Sequence, residues 1–217
     1  MSDEPEKIVY LVRHGESIGN ATRVFQPASY PLSDKGKEQA EKIAERIANI
    51  SFETLIASPM VRSKETAEAI SKATGKQPEF SDLFAEFAKP TSLEGKSYDD
   101  PDADRLWREW QDTLYTPKSS QVEDGENYED IIERIEAALD LLKSRPEKEL
   151  VVVTHSFFMR SLIAHVLFAG LLTPETLGSF LSQTMLVNTG LSVLRYGALF
   201  DKITWRLSIY NDHAHLG

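Results

Sequence analysis

Cysteine is absent from the 217 residues of this chain. Its absence excludes disulfide bonds, thiolate nucleophiles and cysteine-ligated zinc, and it is typical of proteins in a reducing cytoplasm. No apolar run reaches the length of about 20 residues that crosses a bilayer. The N-terminal MSDEPEK also lacks the apolar stretch of a secretory signal. We therefore expect a cytoplasmic protein with no membrane partner.

Positive charge is scarce as well. The chain has 24 lysines and arginines against 34 aspartates and glutamates, a net charge of −10 at pH 7. Nucleic acids and anionic membranes are bound by faces rich in lysine and arginine, so neither is an expected partner. In such an acidic chain, cationic residues gathered at one place indicate a local anionic ligand.

Strand and helix patterns alternate along the chain. Short apolar strands are predicted at 7–12, 55–57 and 150–154, and apolar residues at helical spacing lie between them. Such alternation indicates βαβ units. We predict an α/β fold, a three-layer sandwich with a mostly parallel central sheet flanked by helices.

The later part of the chain adds an edge hairpin and an insertion to this plan. Strand patterns at 191–196 and 203–210 surround a turn and predict the hairpin. Residues 87–122 show no clear period, and we interpret them as an inserted cap. No linker or repeat divides the chain, so a single domain over residues 1–217 is predicted.

Each predicted strand of the parallel set leads into residues that suit an anion. Strand 7–12 continues into Arg13 and His14, strand 150–154 continues into His155, and strand 55–57 leads to a helix whose first turn carries Arg62. Ligands of open α/β sheets bind where the carboxyl ends of the strands meet. Two imidazoles and two guanidiniums are therefore predicted to converge on a phosphate.

The residue types in this group match the needs of phosphoryl transfer. A neutral histidine held in one orientation can attack phosphorus, and arginines neutralise the phosphate by bidentate contacts. A second imidazole, His155, would stabilise the equatorial oxygens if it were protonated. Asn20, Gln26 and the N–H of Ser156 at a helix start are candidate neutral donors.

The leaving alcohol needs a proton, for which Glu86 is the candidate general acid. It lies among apolar and aromatic residues, and both this setting and a neighbouring phosphate favour a protonated carboxyl. The same carboxylate with His14 and His155 could form a metal site instead. Two adjacent arginines would repel a cation there, so no metal is expected.

Several motifs, in order over nearly the whole chain, resemble the histidine phosphatase (phosphoglycerate mutase-like) superfamily. They are Arg13-His14-Gly15-Glu16, Asn20, Ser58-Pro59 with Arg62, Gly125-Glu126, Thr154-His155 and the ending Asn211-Asp212-His213. The resemblance implies a phosphohistidine enzyme that needs neither metal nor cofactor. It implies that His14 is the nucleophile, that Glu86 is the proton donor, and that Arg13, Asn20, Arg62 and His155 surround the phosphate. Gln26 matches a position that contacts substrate in some phosphatase members.

Departures from the family pattern favour hydrolysis over isomerisation. Cofactor-dependent mutases usually have a tryptophan where this chain has Gly19, and they carry a paired-arginine clamp that is absent here. A mutase must hold a second phosphoryl group, which takes additional cations. We therefore expect a phosphatase for a small phosphorylated metabolite, as a monomer or homodimer. A mutase and a catalytically silent module that binds a phosphorylated ligand are the alternatives.

Overall fold

Helices and strands alternate as an α/β fold requires. The computed structural model describes residues 6–118, 120–200 and 202–217. In chain order the elements are β1 (Lys7–Arg13), α1 (Ile18–Thr22), α2 (Asp34–Ile47), β2 (Thr54–Ala57), α3 (Val61–Thr74), β3 (Pro78–Phe80), α4 (Pro101–Tyr115), α5 (Tyr128–Ser144), β4 (Glu149–Thr154), α6 (Ser156–Phe168), α7 (Pro174–Gln183), β5 (Leu191–Leu199) and β6 (Lys202–Asp212). Among the described residues, no helix has the length and apolar character that crossing a bilayer takes.

The six strands form one sheet in the order β3-β2-β4-β1-β5-β6. Strands β1 to β4 are mutually parallel, β5 is antiparallel to β1, and β6 is antiparallel to β5. The predicted mostly parallel sheet is confirmed. The predicted edge hairpin is present too; β5 runs three residues further toward the turn than expected, and β6 starts one residue earlier and ends two residues later.

Successive residues of the central strands point into two separate apolar cores. In β4, Val152 packs with residues of α5 and α6 on one face of the sheet, whereas Val151 and Val153 pack with α2 and α3 on the other. A strand buried on both faces has an uninterrupted apolar run, as in this sequence. Helices therefore cover both faces, which confirms the three-layer sandwich.

The strand register brings the predicted site residues to one edge of the sheet. Arg13 at the end of β1 is paired with Thr154 at the end of β4. The N–H of His14 then donates to the carbonyl of Thr154 at 2.9 Å, so His14 and His155 follow neighbouring strands side by side. The N–H of Ser58, which follows β2, donates to the carbonyl of Val153 at 3.0 Å. The predicted convergence of three strand ends is confirmed.

The inserted segment contains a helix that the sequence analysis did not predict. Helix α4 has 15 residues, and its buried Ala103, Trp110 and Leu114 share one face at intervals of seven and four. Our interpretation that residues 87–122 have no helical period was therefore wrong. Asp100 caps the helix with its side chain, and Pro101 occupies the first turn, an N-terminal signal present in the sequence. Helix α7, also missed, starts in the same way after Thr173.

Two glycines let the first turn of α2 touch the chain that follows β1. A Cβ atom placed on Gly36 would lie 1.9 Å from the carbonyl oxygen of Glu16, and one on Gly15 would lie 2.5 Å from the carbonyl oxygen of Gly36. Ser33 joins the same contact, since its N–H donates to the Glu16 carbonyl at 2.8 Å. Any side chain at these glycines must therefore push α2 away from the turn that carries His14.

We expect Gly36→Ala to destabilise the protein and to displace this turn. The added methyl group meets backbone that cannot rotate away, so we expect the free energy of unfolding to fall by about 1–3 kcal/mol. Urea denaturation measures this change. Gly170→Ala is the control, because a Cβ at Gly170 meets no atom within 4 Å. Equal denaturation midpoints for the two variants would contradict the close approach.

Candidate active site

The turn after β1 holds the His14 ring in one orientation. His14 is 3% exposed, and its Nδ1 donates to the carbonyl oxygen of Gly15 at 2.6 Å. Because a carbonyl only accepts, the proton lies on Nδ1 and the lone pair lies on Nε2. Nε2 accepts from Nε of Arg62 at 3.3 Å. The backbone of the turn is held by Thr66, which accepts from Gly15 N–H at 3.1 Å, and by Asn188, which donates to the His14 carbonyl at 3.1 Å.

His14 is neutral at pH 7. Burial, followed by the positive charges of Arg62 and Arg13, lowers the pKa of His14 well below the ordinary value of 6.5. The Nε2 lone pair is therefore available for attack on an electrophile.

His155 stands directly behind this ring. The two ring centroids are 4.9 Å apart, with the planes tilted by 59°. Nε2 of His155 meets the hydroxyl of Ser58 at 2.7 Å and that of Ser63 at 3.2 Å. Its buried Nδ1 has no hydrogen-bond partner within the described part of the chain. A serine hydroxyl can donate or accept, so these contacts hold the ring at Nε2 and leave Nδ1 as the ring nitrogen that a ligand can contact.

For His155 we considered a ring protonated beside a bound phosphate, whereas the protein's own groups favour the neutral ring. Burial, with a further contribution from Arg62, lowers the pKa of His155 well below its ordinary value of 6.5. The ring is thus neutral in the protein at pH 7.

Both predicted arginines carry charge that no carboxylate neutralises. Arg62 is 4% exposed and donates to the carbonyl of Pro27 at 3.2 Å. Arg13 donates to the carbonyl of Leu186. Among the described residues neither guanidinium takes part in an ion pair. Burial lowers the pKa of Arg13 to about 10, with Glu86 partly opposing the shift, so its guanidinium stays charged at pH 7. Both are suited to bind a dianion.

The buried hydroxyl of Ser17 orients two amide side chains. It accepts from the N–H of Asn20 at 3.1 Å and lies 3.0 Å from Oδ1 of Asn20 and 2.5 Å from Oε1 of Gln26. The single hydroxyl proton of Ser17 is donated to Oε1 of Gln26, and the backbone N–H of Ser17 donates to Oδ1 of Asn20 at 3.2 Å, so the NH₂ groups of both amides remain for a ligand. Gly19 makes room for this arrangement, since a Cβ there would lie 2.2 Å from Cγ of Gln26.

Glu86 is anchored to the first turn of α6, a contact that the sequence analysis did not foresee. Its carboxylate accepts N–H bonds from Phe158 at 2.9 Å, from Phe157 at 3.1 Å and from Phe87 at 3.1 Å. A carboxylate at a helix N-terminus is also stabilised by the helix dipole. The predicted helix-start residue, Ser156, lies beside it.

An arginine–glutamate pair holds the segment on both sides of Glu86. Nε and Nη2 of Arg134 bind the two oxygens of Glu126, each at 2.7 Å. Arg134 also donates to the carbonyl of Ala85 at 2.8 Å, and Glu126 accepts from the N–H of Ala88 at 2.7 Å. Sequence reasoning missed this support, although Glu126 belongs to one of the quoted motifs.

Seven of the eight predicted site residues line one cavity of about 210 Å³. They are Arg13, His14, Asn20, Gln26, Arg62, Glu86 and Ser156. The eighth, His155, is fully buried behind them. Residues of the cap and of α6, above all Lys89, Trp107 and Phe157, line the rest and were not predicted. In the ranges that the structure describes, no three histidines or carboxylates are placed to hold a metal ion.

Comparison with known families agrees with this geometry. The family model of the histidine phosphatase superfamily (branch 1) matches residues 9–212. The chain belongs to this superfamily. A relative named "Probable phosphoglycerate mutase GpmB", from Salmonella arizonae, is 32% identical over 162 residues, which are 73% of this chain and 74% of the relative.

Solved structures of other proteins share the fold. YhfR of Bacillus stearothermophilus is 25% identical with a TM-score of 0.78, covering 97% of this chain and all of its own. The mycobacterial glucosyl-3-phosphoglycerate phosphatase Rv2419c is 22% identical with a TM-score of 0.75, covering 96% of this chain and all of its own. The predicted phosphoglycerate mutase-like architecture is confirmed.

The two buried histidines of the site make stability depend on pH. Below pH 6.5 both gain protons in the unfolded chain but stay neutral in the native protein, because their native pKa values are lowered. Each therefore lowers the free energy of unfolding by up to about 1.4 kcal/mol per pH unit as the pH falls. We expect His14→Gln to lose stability less steeply than the wild type between pH 6.5 and about pH 5 in urea denaturation. Parallel curves would contradict the neutral state of His14.

Proposed function

We propose that this chain hydrolyses phosphate monoesters through a phosphohistidine formed on Nε2 of His14, without a metal ion. The observation that carries the proposal is the state of the His14 ring. Its Nδ1 is bound to the Gly15 carbonyl, and its neutral Nε2 lies beside the Arg62 guanidinium. A fixed lone pair next to a phosphate-binding cation is what an attack on phosphorus requires.

In the first step, the Nε2 lone pair of His14 attacks phosphorus while the bond from phosphorus to the ester oxygen breaks. The three N–H donors and the helix dipole favour the Glu86 carboxylate, so the dianionic substrate beside it must supply the charge that favours its protonated form. Glu86 then donates its proton to the departing alkoxide oxygen, so a neutral alcohol leaves. Glu86 lines the same cavity as His14, which gives it access to that oxygen.

In the second step, ionised Glu86 takes a proton from water and the water oxygen attacks phosphorus. The bond from phosphorus to Nε2 breaks, inorganic phosphate leaves, and His14 returns to its neutral form with Glu86 protonated. Arg13 and Arg62 neutralise the equatorial oxygens in both steps, and the Nδ1–H of His155 and the amide NH₂ groups donate to the same oxygens.

Hydrolysis fits the cavity better than mutase chemistry does. Outside the cations assigned to one phosphoryl group, Lys89 is the cationic side chain that lines the cavity in the described residues. A reorienting bisphosphate needs several cations at its second phosphoryl group. Gly19, packed against Gln26, also stands where mutases have tryptophan. A mutase is the second candidate because the relative from Salmonella arizonae carries that name.

We expect His14→Gln to lower the rate of phosphate release by about a thousandfold or more, since the nucleophile is lost. We also expect the wild type to release phosphate at an unchanged rate in EDTA, because the proposed reaction uses no metal ion. Brief incubation with labelled substrate, followed by an acid-lability assay, detects the phosphohistidine. His165→Gln is the matched control, because His165 is half-buried in α6 and does not line the cavity.

Two results would refute the hydrolase. Isomerisation of a phosphoglycerate that depends on added bisphosphate and outpaces phosphate release would establish the mutase. Neither phosphate release nor a phosphorylated histidine on any ester would establish a silent binding module.

We expect Glu86→Gln to slow esters of poor leaving groups far more than aryl esters, because only the former need the proton. Arg134→Met is expected to act in the same direction by releasing the backbone around Glu86. Arg145→Met is the matched control, since Arg145 likewise forms ion pairs with carboxylates, those of Glu79 and Glu147, but away from the cavity. The dependence of kcat/KM on leaving-group pKa measures each effect. Equal losses for all leaving groups would count against the acid role.

A further inference from the structure

Aromatic rings form much of the cavity beyond its phosphate-binding groups. Six of its lining residues are aromatic, namely Phe25, Phe87, Tyr98, Trp107, Trp110 and Phe157. The proposed chemistry uses none of them, because a phosphoryl group is bound by cations and N–H donors. With phosphorus facing Nε2 of His14, these rings face the alcohol portion of the ester.

Trp107 joins the rings into one wall. Its centroid lies 5.1 Å from that of Phe25, 4.9 Å from that of Trp110 and 6.3 Å from that of Phe157. The planes of Trp107 and Phe157 meet at 78°, an edge-to-face contact. These are the separations at which aromatic pairs attract one another, so a further flat ring would extend the cluster.

The wall is held in place from behind. Trp110 is 1% exposed and its indole N–H donates to the carbonyl of Glu126 at 2.9 Å. Phe25 is buried against Leu93 and Ala103. Trp107 and Phe157 are only half-buried, which leaves ring surface for a ligand. A preformed wall binds without the cost of ordering its side chains.

Few polar groups share this part of the cavity. Besides the residues that the proposed reaction uses, the polar side-chain groups on the described lining are Lys89, the hydroxyl of Tyr98 and the indole N–H groups of Trp107 and Trp110, of which that of Trp110 is bonded to Glu126. Lys89 already donates to the carbonyl of Gln26 at 2.5 Å. A sugar or glycerol moiety with several hydroxyls would lose its hydration there without gaining matching partners.

We propose that the substrates are phosphate monoesters whose alcohol carries a planar apolar ring, bound against Trp107 and Phe157. The inference rests on the proposed function and names its substrate class. Trp107 and Phe157 are then the specificity-determining residues, while His14 and Glu86 perform the same steps on any ester.

The test compares three esters of primary alcohols, so that leaving-group chemistry is nearly constant. They are 2-phenylethyl phosphate, 2-cyclohexylethyl phosphate and glycerol 3-phosphate. We expect kcat/KM for the phenyl ester to exceed that for the cyclohexyl ester by about fivefold, since only the flat ring stacks. We expect kcat/KM for the phenyl ester to exceed kcat/KM for the glycerol ester by roughly a hundredfold. Trp107→Leu is expected to bring the phenyl-to-cyclohexyl ratio close to one, chiefly through KM.

Trp205→Leu is the matched control, because Trp205 is a half-buried tryptophan that packs on Tyr196 in the edge hairpin. It is expected to keep the wild-type ratio. Equal kcat/KM values for the three esters, or a ratio that Trp107→Leu leaves unchanged, would overturn the aromatic subsite while hydrolysis stands. If the wild type hydrolyses none of them, the proposed function fails. Calorimetry with 3-phenylpropylphosphonate and 3-cyclohexylpropylphosphonate then decides the subsite, which is refuted unless the phenyl compound binds more tightly.

Discussion

The rest of the site depends on two buried guanidiniums that form no ion pair with any described carboxylate. Carbonyl oxygens of Pro27 and Leu186 satisfy N–H groups of Arg62 and Arg13 but leave the positive charge in place. Together with burial, this charge lowers the pKa of His14, so the ring is neutral. The same charge attracts a dianion. One arrangement therefore supplies both an unprotonated Nε2 and the affinity for the phosphoryl group that Nε2 attacks, while the strand register supplies the direction of attack.

The part of the site that lies next to strand ends was predictable from sequence. His14, His155 and Arg62 each follow a short apolar strand directly or by one helical turn, and parallel pairing was enough to bring them together. The hydrophobic pattern was sufficient to predict this pairing, because strands that are buried on both faces belong in the centre of a parallel sheet covered by helices. The layers of the sandwich follow from the same argument.

The supports of the site were not predictable, because they join segments that lie far apart in sequence. Glu86 binds the first turn of α6 through backbone N–H groups some seventy residues away, and no periodicity marks such a contact. The protonation state of His155 depends on burial and on neighbouring charges that exist only in the folded chain. Helix α4 differs from both. Both its Asp100-Pro101 start and its apolar face can be read from the sequence. We overlooked them because the segment as a whole is rich in polar residues.

The packing of Gly19 against Gln26 links two positions that lie seven residues apart. A large ring at position 19 fits only if the side chain at position 26 shrinks or turns away, and the loss of Gln26 alone removes a donor without admitting the ring. A protein with only one of the two changes is poorly packed, so the tryptophan typical of mutases at position 19 is not reached through a single substitution. Homologues are therefore expected to exchange these two residues together.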